Sequence, residues 1–295
     1  MEIMENRKGD TMIDAALVLE GGSLRCLFTA GVLDVLMEQG IELSYVMGVS
    51  AGSLSGINYV SKQIGRTARI NINYVNDNRY LGIRCLLKER SIFNFNFLFD
   101  DIAKELDPFD FDAFCKSEQE FIAVATSCET GEARYFDKEN CADIMMAARA
   151  SSSMPLLSRK VEVNKELCLD GGVAMPIPYQ KAIDDGYEKV VLVLTREHGY
   201  RKPEQGRAML KAYERAYHEY PKFIERLKHI PDHYNEMQEE IDELERQGKI
   251  FVIRPEVPVL VSRVEKDTDK LKDLYQIGRN IATKQLEALK AYLGA

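Results

Sequence analysis

The chain has 295 residues, of which 45% are hydrophobic, and its formal net charge is −8. This apolar content is enough to bury a sizeable core as one large or two modest domains, and we favour one. The acidic balance argues against a nucleic-acid partner, because binding to phosphates needs a basic stripe that this sequence does not contain.

Residues 1–10 are polar, carry charges of both signs and lack the apolar core of a signal peptide. No later stretch reaches the roughly 18 apolar residues of a membrane span, so we expect an intracellular protein, either cytoplasmic or in peripheral contact with a membrane. The six cysteines are scattered, without C-x-x-C spacing or a nearby histidine cluster. They predict reduced thiols, without a disulfide framework or a metal site. We also expect no cofactor.

The first predicted strand, at 15–19, runs directly into a glycine-rich turn at 20–25. A helix is predicted from about 24 to 39, because apolar residues recur along one face and Gly40 follows. Such a turn presents backbone N–H groups at a helix start, where they can bind a phosphate or stabilise an oxyanion. The Gly-x-Gly-x-x-Gly spacing of dinucleotide sites does not fit this turn.

The next predicted strand, at 43–47, leads into Gly48-Val49-Ser50-Ala51-Gly52, a Gly-x-Ser-x-Gly motif before a predicted helix at 53–60. A serine on such a strand-to-helix turn is an exposed nucleophile, and the flanking glycines let the backbone turn. Since both turns follow strands, we expect them side by side at the carboxyl end of one parallel sheet. An ordinary turn with a capping serine is the alternative for this motif alone.

A concentrated apolar segment follows the partly polar helical stretch 65–90. It contains four phenylalanines, namely Phe93, Phe95, Phe97 and Phe99. One interpretation is a lid or a contact surface for an acyl chain. The other is that the rings complete the core.

The remaining predicted strands alternate with helices and small-residue breaks. They lie at 121–126, 133–136, 160–163, 166–169, 189–195 and 249–253. Asp170-Gly171-Gly172 comes directly after the fourth of them, and an aspartate at a strand end has a free side chain. Beyond Arg196 the chain becomes long, charged and helical, which indicates solvated helix faces.

Taken together, Gly21-Gly22-Ser23-Leu24-Arg25, the Ser50 motif and the Asp170 motif, in this order, resemble the patatin-like phospholipase family. The small-residue segment 150–155 is similar to that family as well. The resemblance covers about 15–195, and the rest resembles the helical tail of a bacterial branch. It implies an α/β fold with three α/β/α layers around a mostly parallel sheet. We expect a single domain at 12–295, with a core at about 15–195 and a helical C-terminal extension at about 196–295.

The resemblance also implies a lipid acyl hydrolase, of phospholipase or lysophospholipase type, acting on a lipid or another acyl ester. Ser50 would attack the ester carbonyl, and Asp170 would act as the base without a histidine. The turn that would hold the oxyanion consists of Gly21, Gly22, Ser23, Leu24 and Arg25. The glycines that would support the turns are Gly48, Gly52, Gly171 and Gly172. Arg25 would anchor its loop, approach an anionic head group or form a structural ion pair.

Two positions depart from the family pattern. Ser23 stands where a third glycine is common, and Cys26 stands where a glycine often follows the basic residue. The oxyanion donors are backbone groups and remain, but each change adds a Cβ where the loop could need an unusual conformation. Reduced activity or a shifted substrate preference would be the consequence.

Other functions remain open. A Ser-His-Asp α/β-hydrolase shares the serine turn but needs a late histidine, and the candidates are His198, His218, His229 and His233. Of these, His198 follows a strand. An acyltransferase would use the same covalent intermediate. A catalytically weakened relative would retain only lipid or protein binding. The sequence does not indicate the oligomeric state.

Overall fold

The computed structural model describes residues 12–295, so the stretch 1–10 for which no signal peptide is predicted lies outside them. Its centre is one eight-stranded sheet. The strands are β1 (Ile13–Leu19), β2 (Leu43–Val49), β3 (Glu120–Ser127), β4 (Ala133–Phe136), β5 (Val161–Val163), β6 (Glu166–Asp170), β7 (Val190–Val193) and β8 (Ile250–Ile253). Their order is β5-β6-β3-β2-β1-β7-β8, with β4 also paired to β3.

Eleven α-helices are present in the described residues. They are α1 (Cys26–Glu38), α2 (Ala51–Val60), α3 (Arg66–Tyr74), α4 (Ile83–Glu89), α5 (Phe111–Lys116), α6 (Ile144–Ser151), α7 (Tyr179–Asp184), α8 (Arg207–Ala216), α9 (Pro221–Lys228), α10 (Ile230–Arg246) and α11 (Thr268–Leu293). Short 3-10 turns occupy Ser23–Arg25 and Gly171–Val173, and a π-helix spans Phe97–Leu106. None of the helices in 12–295 is long and apolar enough to cross a membrane.

Alternate residues of the strands face two separate helix layers. In β1, Leu17 and Leu19 pack into a core formed with α1, α2 and α11. Ala16 and Val18 face the opposite side, where the core is completed by α7 and α10. This period-two alternation is what a sheet covered on both faces requires. The three-layer α/β/α fold predicted from the sequence is confirmed.

The C-terminal region contributes a strand to the sheet and a helix to each of the two helix layers, α11 to one and α10 to the other. Strand β8 pairs with β7 in parallel. Helix α11 crosses α1 so closely that a Cβ on Gly31 would lie 2.1 Å from the Tyr275 carbonyl oxygen, and one on Gly278 would lie 2.1 Å from that of Phe28. Only two residues without side chains permit such an approach of two helix backbones.

The helical segments differ in detail from the prediction. The predicted helix 24–39 begins as a 3-10 turn, and α1 proper starts at Cys26. The stretch 65–90 is two helices, α3 and α4, with a turn between them. The charged helical region beyond Arg196 is likewise divided into separate helices, and Pro221 begins one of them, α9.

The edge of β3 explains how the two motif ends meet. Strand β2 pairs with β3 along 120–124 and β6 pairs with it along 125–127, whereas β4 overlaps both stretches. A strand has only two edges, so β4 lies on one and β2 and β6 share the other, end to end. Because β2 is parallel to β3 and β6 is antiparallel to it, the carboxyl ends of β2 and β6 point at each other. Ser50 follows one end and Asp170 forms the other.

Candidate active site

Ser50 lies on the turn between β2 and α2 in a strained backbone conformation. Its φ is 55° and its ψ is −126°, a positive-φ region that non-glycine residues seldom adopt. The Ser50 N–H donates a 2.8 Å hydrogen bond to the Ser151 hydroxyl. Its carbonyl accepts from the Leu54 N–H and so begins α2. The side chain is thereby held out at the sheet edge, half-buried.

The serine turn packs directly against neighbouring backbone. A Cβ on Gly52 would lie 2.4 Å from the Leu19 carbonyl oxygen, and one on Gly48 would lie 2.5 Å from the Ser53 nitrogen. These distances are far below van der Waals contact, and the nearest atoms are backbone. The motif therefore needs glycine on both sides of Ser50 for the turn to sit on the end of β1.

Asp170 forms a direct hydrogen bond with Ser50. The Ser50 Oγ donates to Asp170 Oδ2 at 2.7 Å, and the Gly172 N–H donates to Oδ1 at 2.8 Å. The backbone of Asp170 is held as well, because its N–H donates to the Ser153 carbonyl and its carbonyl accepts from the Thr126 hydroxyl, each at 2.8 Å. The carboxylate therefore has one orientation, facing the serine.

The environment of Asp170 makes its carboxylate more basic than usual. Burial raises the pKa of this carboxyl to about 6, while the hydrogen bonds from Ser50 and Gly172 and the charges of Arg263 and Lys202 act in the opposite direction. A carboxylate with a raised pKa, within hydrogen-bond reach of a hydroxyl, can accept its proton.

The glycine-rich turn lies against the serine. A Cβ on Gly21 would be 2.8 Å from the Ser50 Cβ. Within residues 12–295, the N–H groups of Gly21 and Gly22 donate to no protein acceptor. Leu24 is buried, and Arg25 ends the 3-10 turn and is half-buried. Two free N–H groups beside a serine hydroxyl can stabilise a negative oxygen that forms there.

Only one of the two departures from the family pattern affects the backbone. Ser23 has a φ of 51°, in the left-handed region that favours glycine, and its hydroxyl donates a 2.7 Å hydrogen bond to the Arg263 carbonyl. Cys26 has an ordinary helical φ of −60°. Burial raises the pKa of the Cys26 thiol to about 12, so it stays protonated at neutral pH.

The buried carboxylate of Glu20 holds the start of the glycine-rich turn in place. Glu20 accepts hydrogen bonds from the Thr195 N–H at 2.6 Å, the Thr195 hydroxyl at 3.0 Å and the Tyr234 hydroxyl at 2.8 Å. These contacts tie the turn to the end of β7 and to α10. Sequence analysis missed Glu20, Thr195 and Tyr234, because nothing in their local sequence indicates that they meet.

Cations without counter-ions surround the turn. They are Arg25, Arg196, Lys202 and Arg263. None forms an ion pair within 4.0 Å in the described part of the chain. The Arg25 Nε is buried and has no hydrogen-bond partner among residues 12–295. The Lys202 Nζ lies 3.8 Å from the centre of the Tyr234 ring, and burial lowers the pKa of Lys202 to about 8.

A pocket of about 840 Å³, its open mouth included, has Ser50 and Ala51 among its lining residues. Its walls include the rings of Phe93, Phe95 and Phe99. Phe97 is not among the lining residues. It is fully buried, with its ring centre 5.8 Å from that of Tyr74. The phenylalanine segment therefore divides between pocket wall and core.

The histidines lie elsewhere. His198 faces Asp242 at 3.5 Å and is exposed, and His229 faces Glu225 at 2.9 Å. His233 contacts Arg226, and His218 contacts the Arg215 carbonyl. No histidine forms a hydrogen bond with Ser50 or Asp170 in residues 12–295, which include all four.

The described residues contain no group of three or more His, Cys, Asp or Glu side chains that could hold a metal ion. All six cysteines are free thiols. Gly171 and Gly172 form the short 3-10 turn after Asp170, and a Cβ on Gly171 would lie 2.1 Å from the Val124 carbonyl oxygen.

Known proteins resemble this chain over most of its length. The model of the patatin-like phospholipase family matches residues 17–183, and a family described as a domain of unknown function matches 220–294. The Escherichia coli K12 protein named "Uncharacterized protein YjjU" is 26% identical over 272 residues, which cover 90% of this chain and 74% of that protein. The crystal structure of VipD from Legionella pneumophila aligns with a TM-score of 0.51 and 12% identity, over 94% of this chain and 67% of that one. At this identity, the likeness to VipD concerns the fold alone.

Proposed function

The chain belongs to the patatin-like phospholipase family, and from that premise we propose that it hydrolyses the acyl ester of a lipid with Ser50 as nucleophile and Asp170 as general base. The observation that carries the proposal is the 2.7 Å hydrogen bond from the Ser50 hydroxyl to the Asp170 carboxylate. No intervening group is needed, because the Asp170 carboxylate already accepts a hydrogen bond from the hydroxyl whose proton it must take.

The reaction proceeds in two balanced steps. The Ser50 Oγ attacks the ester carbonyl while its proton passes to Asp170, and the resulting oxyanion accepts hydrogen bonds from the Gly21 and Gly22 N–H groups. The intermediate then collapses, and the leaving alcohol takes the proton from Asp170. A water molecule next attacks the acyl-serine and gives its proton to Asp170. The carboxylic acid leaves, and Ser50 regains its hydrogen.

The apolar lining of the pocket indicates that it binds the acyl chain of the substrate. Ser50 is among its lining residues, and six aromatic rings line it as well. An acyl chain attached to the attacked carbonyl would therefore displace water from apolar surface. The polar end of the substrate would remain on the side of the glycine-rich turn.

The cations near that turn favour a substrate with a phosphate, such as a phospholipid or lysophospholipid, over a neutral acylglycerol. Arg25, Lys202 and Arg263 bring three positive charges to a site whose neighbouring carboxylates are Glu20 and Asp170. Glu20 is already occupied by Thr195 and Tyr234. An anionic group on the substrate would supply the missing counter-charge.

We also propose that residues 12–295 act as one domain. Strand β8 belongs to the same sheet as the serine strand, and Tyr234 on α10 binds Glu20 next to the turn. Because the C-terminal region supplies a strand and a buried hydrogen-bond donor to the core, it is part of the same domain and not a separate unit.

A fluorophosphonate probe tests the nucleophile on the whole protein. We expect wild type to be labelled and Ser50→Ala to be unlabelled and inactive toward a p-nitrophenyl ester. Ser55→Ala is the matched control, because Ser55 borders the same pocket but its hydroxyl binds the Ala51 carbonyl. Absence of labelling in folded wild type would instead support a weakened, lipid-binding relative.

The head-group part of the proposal has its own test. Arg25→Gln with Lys202→Gln should reduce hydrolysis of a lysophospholipid by on the order of 10- to 100-fold, as expected for loss of charged hydrogen bonds. Hydrolysis of a monoacylglycerol with the same chain should change far less. Equal losses on both substrates would place these cations in the support of the turn.

A further inference from the structure

A surface beside the pocket combines exposed aliphatic side chains with unpaired cations. The most exposed aliphatic residues in the described chain are Leu260 at 84%, Leu87 at 80%, Ile83 at 72% and Val257 at 60%. Ile83 and Leu87 lie one turn apart on α4, and Val257 and Leu260 lie on the loop between β8 and α11. Side chains of this kind are costly to leave in water, and four so exposed are unlike the scattered apolar residues of an ordinary surface.

Helix α4 forms the tip of a hairpin whose base contributes residues to the pocket wall. Leu81 and Phe93 form a β-bridge, and the Gly82 N–H donates to the Ile92 carbonyl at 2.9 Å. Tyr80 and Phe93, at the base of this hairpin, both line the pocket. The exposed face of α4 is therefore connected to the acyl site through a short, hydrogen-bonded stem.

The loop that carries Val257 and Leu260 borders the same site from the other side. The Arg196 guanidinium donates to the Val259 carbonyl at 3.2 Å, and Ser23 of the glycine-rich turn donates to the Arg263 carbonyl at 2.7 Å. Farther along, the Lys266 ammonium donates to the Leu81 carbonyl at 3.1 Å. This last contact joins the loop to the start of the α4 hairpin, so the segments that carry the two apolar groups are linked to each other.

Positive charge accompanies these apolar residues. Arg84 and Lys88 are exposed and lie one turn apart on α4, next to the stripe formed by Ile83 and Leu87. Neither has an ion-pair partner within 4.0 Å in residues 12–295, although the chain as a whole carries a net charge of −8. Helices with adjacent apolar and basic stripes are typical of segments that lie in the interface of an anionic membrane.

From this arrangement we propose that Ile83, Leu87, Val257 and Leu260, together with Arg84 and Lys88, form a docking surface for an anionic lipid bilayer. The apolar side chains enter the acyl boundary while the two cations meet lipid phosphates. Docking would bring the pocket and the glycine-rich turn to the membrane surface. The choice of a bilayer as the occupant rests on the proposed lipid substrate, whereas the surface itself does not depend on the chemistry at Ser50.

Co-sedimentation of the full chain with vesicles tests the docking surface without using activity. We expect wild type to bind an equal mixture of phosphatidylcholine and phosphatidylglycerol more strongly than phosphatidylcholine alone. Ile83→Glu with Leu87→Glu should weaken binding to both by about ten-fold or more, since each buried aliphatic chain contributes. Arg84→Gln with Lys88→Gln should weaken binding to the mixture by on the order of ten-fold and leave phosphatidylcholine binding unchanged.

The matched control is Ile64→Glu with Leu106→Glu. These aliphatic residues are 44% and 47% exposed and lie outside the docking surface, and the change in charge is the same. The control should bind vesicles like wild type. Weakened binding in the control but not in the α4 variant would overturn the proposal. A wild type that binds both kinds of vesicle equally would also overturn it. The same holds if the α4 variant changes only the oligomeric state in size-exclusion chromatography, because the surface would then bind a second copy of the chain.

A soluble short-chain ester separates this proposal from the proposed function. The Ile83→Glu, Leu87→Glu variant should hydrolyse it at the wild-type rate, because neither residue lines the pocket. Hydrolysis by wild type without any vesicle binding would end the docking proposal alone. Vesicle binding that depends on α4, without hydrolysis of any ester, would end the catalytic proposal and leave docking in place.

Discussion

The hydroxyl of Ser23 donates a 2.7 Å hydrogen bond to the backbone carbonyl of Arg263, a residue 240 positions later in the chain. Ser23 has a φ of 51°, so its Cβ sits on a left-handed backbone. The serine thus has two opposing effects on the turn. Its Cβ strains the backbone, while its hydroxyl ties the turn to the loop of the docking surface.

Ser23→Ala and Ser23→Gly separate these effects. Both variants lose the hydroxyl, but only alanine keeps the Cβ at positive φ, so we expect the glycine variant to have the larger free energy of unfolding by about 1 kcal/mol. Urea denaturation of the two variants measures this difference. Ester hydrolysis should stay within a few-fold of wild type in both, because the oxyanion donors are backbone groups. Equal stability of the two variants would contradict strain at Ser23.

The raised pKa of Asp170 predicts the pH dependence of hydrolysis. A general base works when deprotonated, and burial raises the pKa of this carboxyl to about 6. The value of kcat/KM for a soluble ester should therefore rise about ten-fold per pH unit below that pKa and level off above it. A rate that does not change between about pH 5 and 8 would mean that another group is the base.

Asp170→Asn keeps the shape of the side chain but cannot accept a proton. Turnover should fall by roughly 10²–10⁴-fold, the usual effect of losing a general base. The matched control is Asp112→Asn, which should be fully active, since the exposed Asp112 carboxylate pairs only with Lys116 among residues 12–295. Circular dichroism and thermal unfolding establish that both variants fold. Wild-type turnover in Asp170→Asn would remove it from the proposed dyad.

The histidines should be dispensable. None contacts Ser50 or Asp170 in the described chain, and His198, which follows β7, is exposed and faces Asp242. Simultaneous replacement of His198, His218, His229 and His233 by glutamine should leave ester hydrolysis within a few-fold of wild type. A roughly 10²–10⁴-fold loss from His198→Gln alone, in folded protein, would instead favour a Ser-His-Asp mechanism.

The phenylalanine segment offers two residues with contrasting expected effects. Phe97 is buried against Tyr74 away from the pocket, so Phe97→Ser should lower the free energy of unfolding by about 3–5 kcal/mol. Phe99 is half-buried and lines the pocket, so Phe99→Ser should reduce hydrolysis of long-chain esters more than of short ones, with a smaller loss of stability. Activity against a series of chain lengths and urea denaturation measure both. If Phe99→Ser lost more stability and Phe97→Ser lost more long-chain activity, Phe99 would be the core residue and Phe97 the pocket residue.

The sequence determined most of the strands and the position of each motif, because these depend on local patterns. Short, nearly continuous apolar runs predict the central strands, which are buried on both faces. Glycine around Ser50 is required by backbone contacts as short as 2.4 Å, and such a requirement is visible as a motif in any one sequence. Each motif consists of residues that are close together in the chain, and the resemblance that the three motifs carry in their order implies the family and its α/β/α fold.

The tertiary structure decided which of these segments meet, because pairing between strands is a long-range choice that local patterns do not encode. Nothing near Glu166 indicates that β6 runs antiparallel to β3, yet this direction aims Asp170 at Ser50. Burial of the assembled site then raised the pKa of the carboxylate. Lys202 and Arg263 likewise came near Asp170 only when the C-terminal region packed onto the sheet. The same packing linked the loop before α11 to the α4 hairpin through Lys266 and the Leu81 carbonyl.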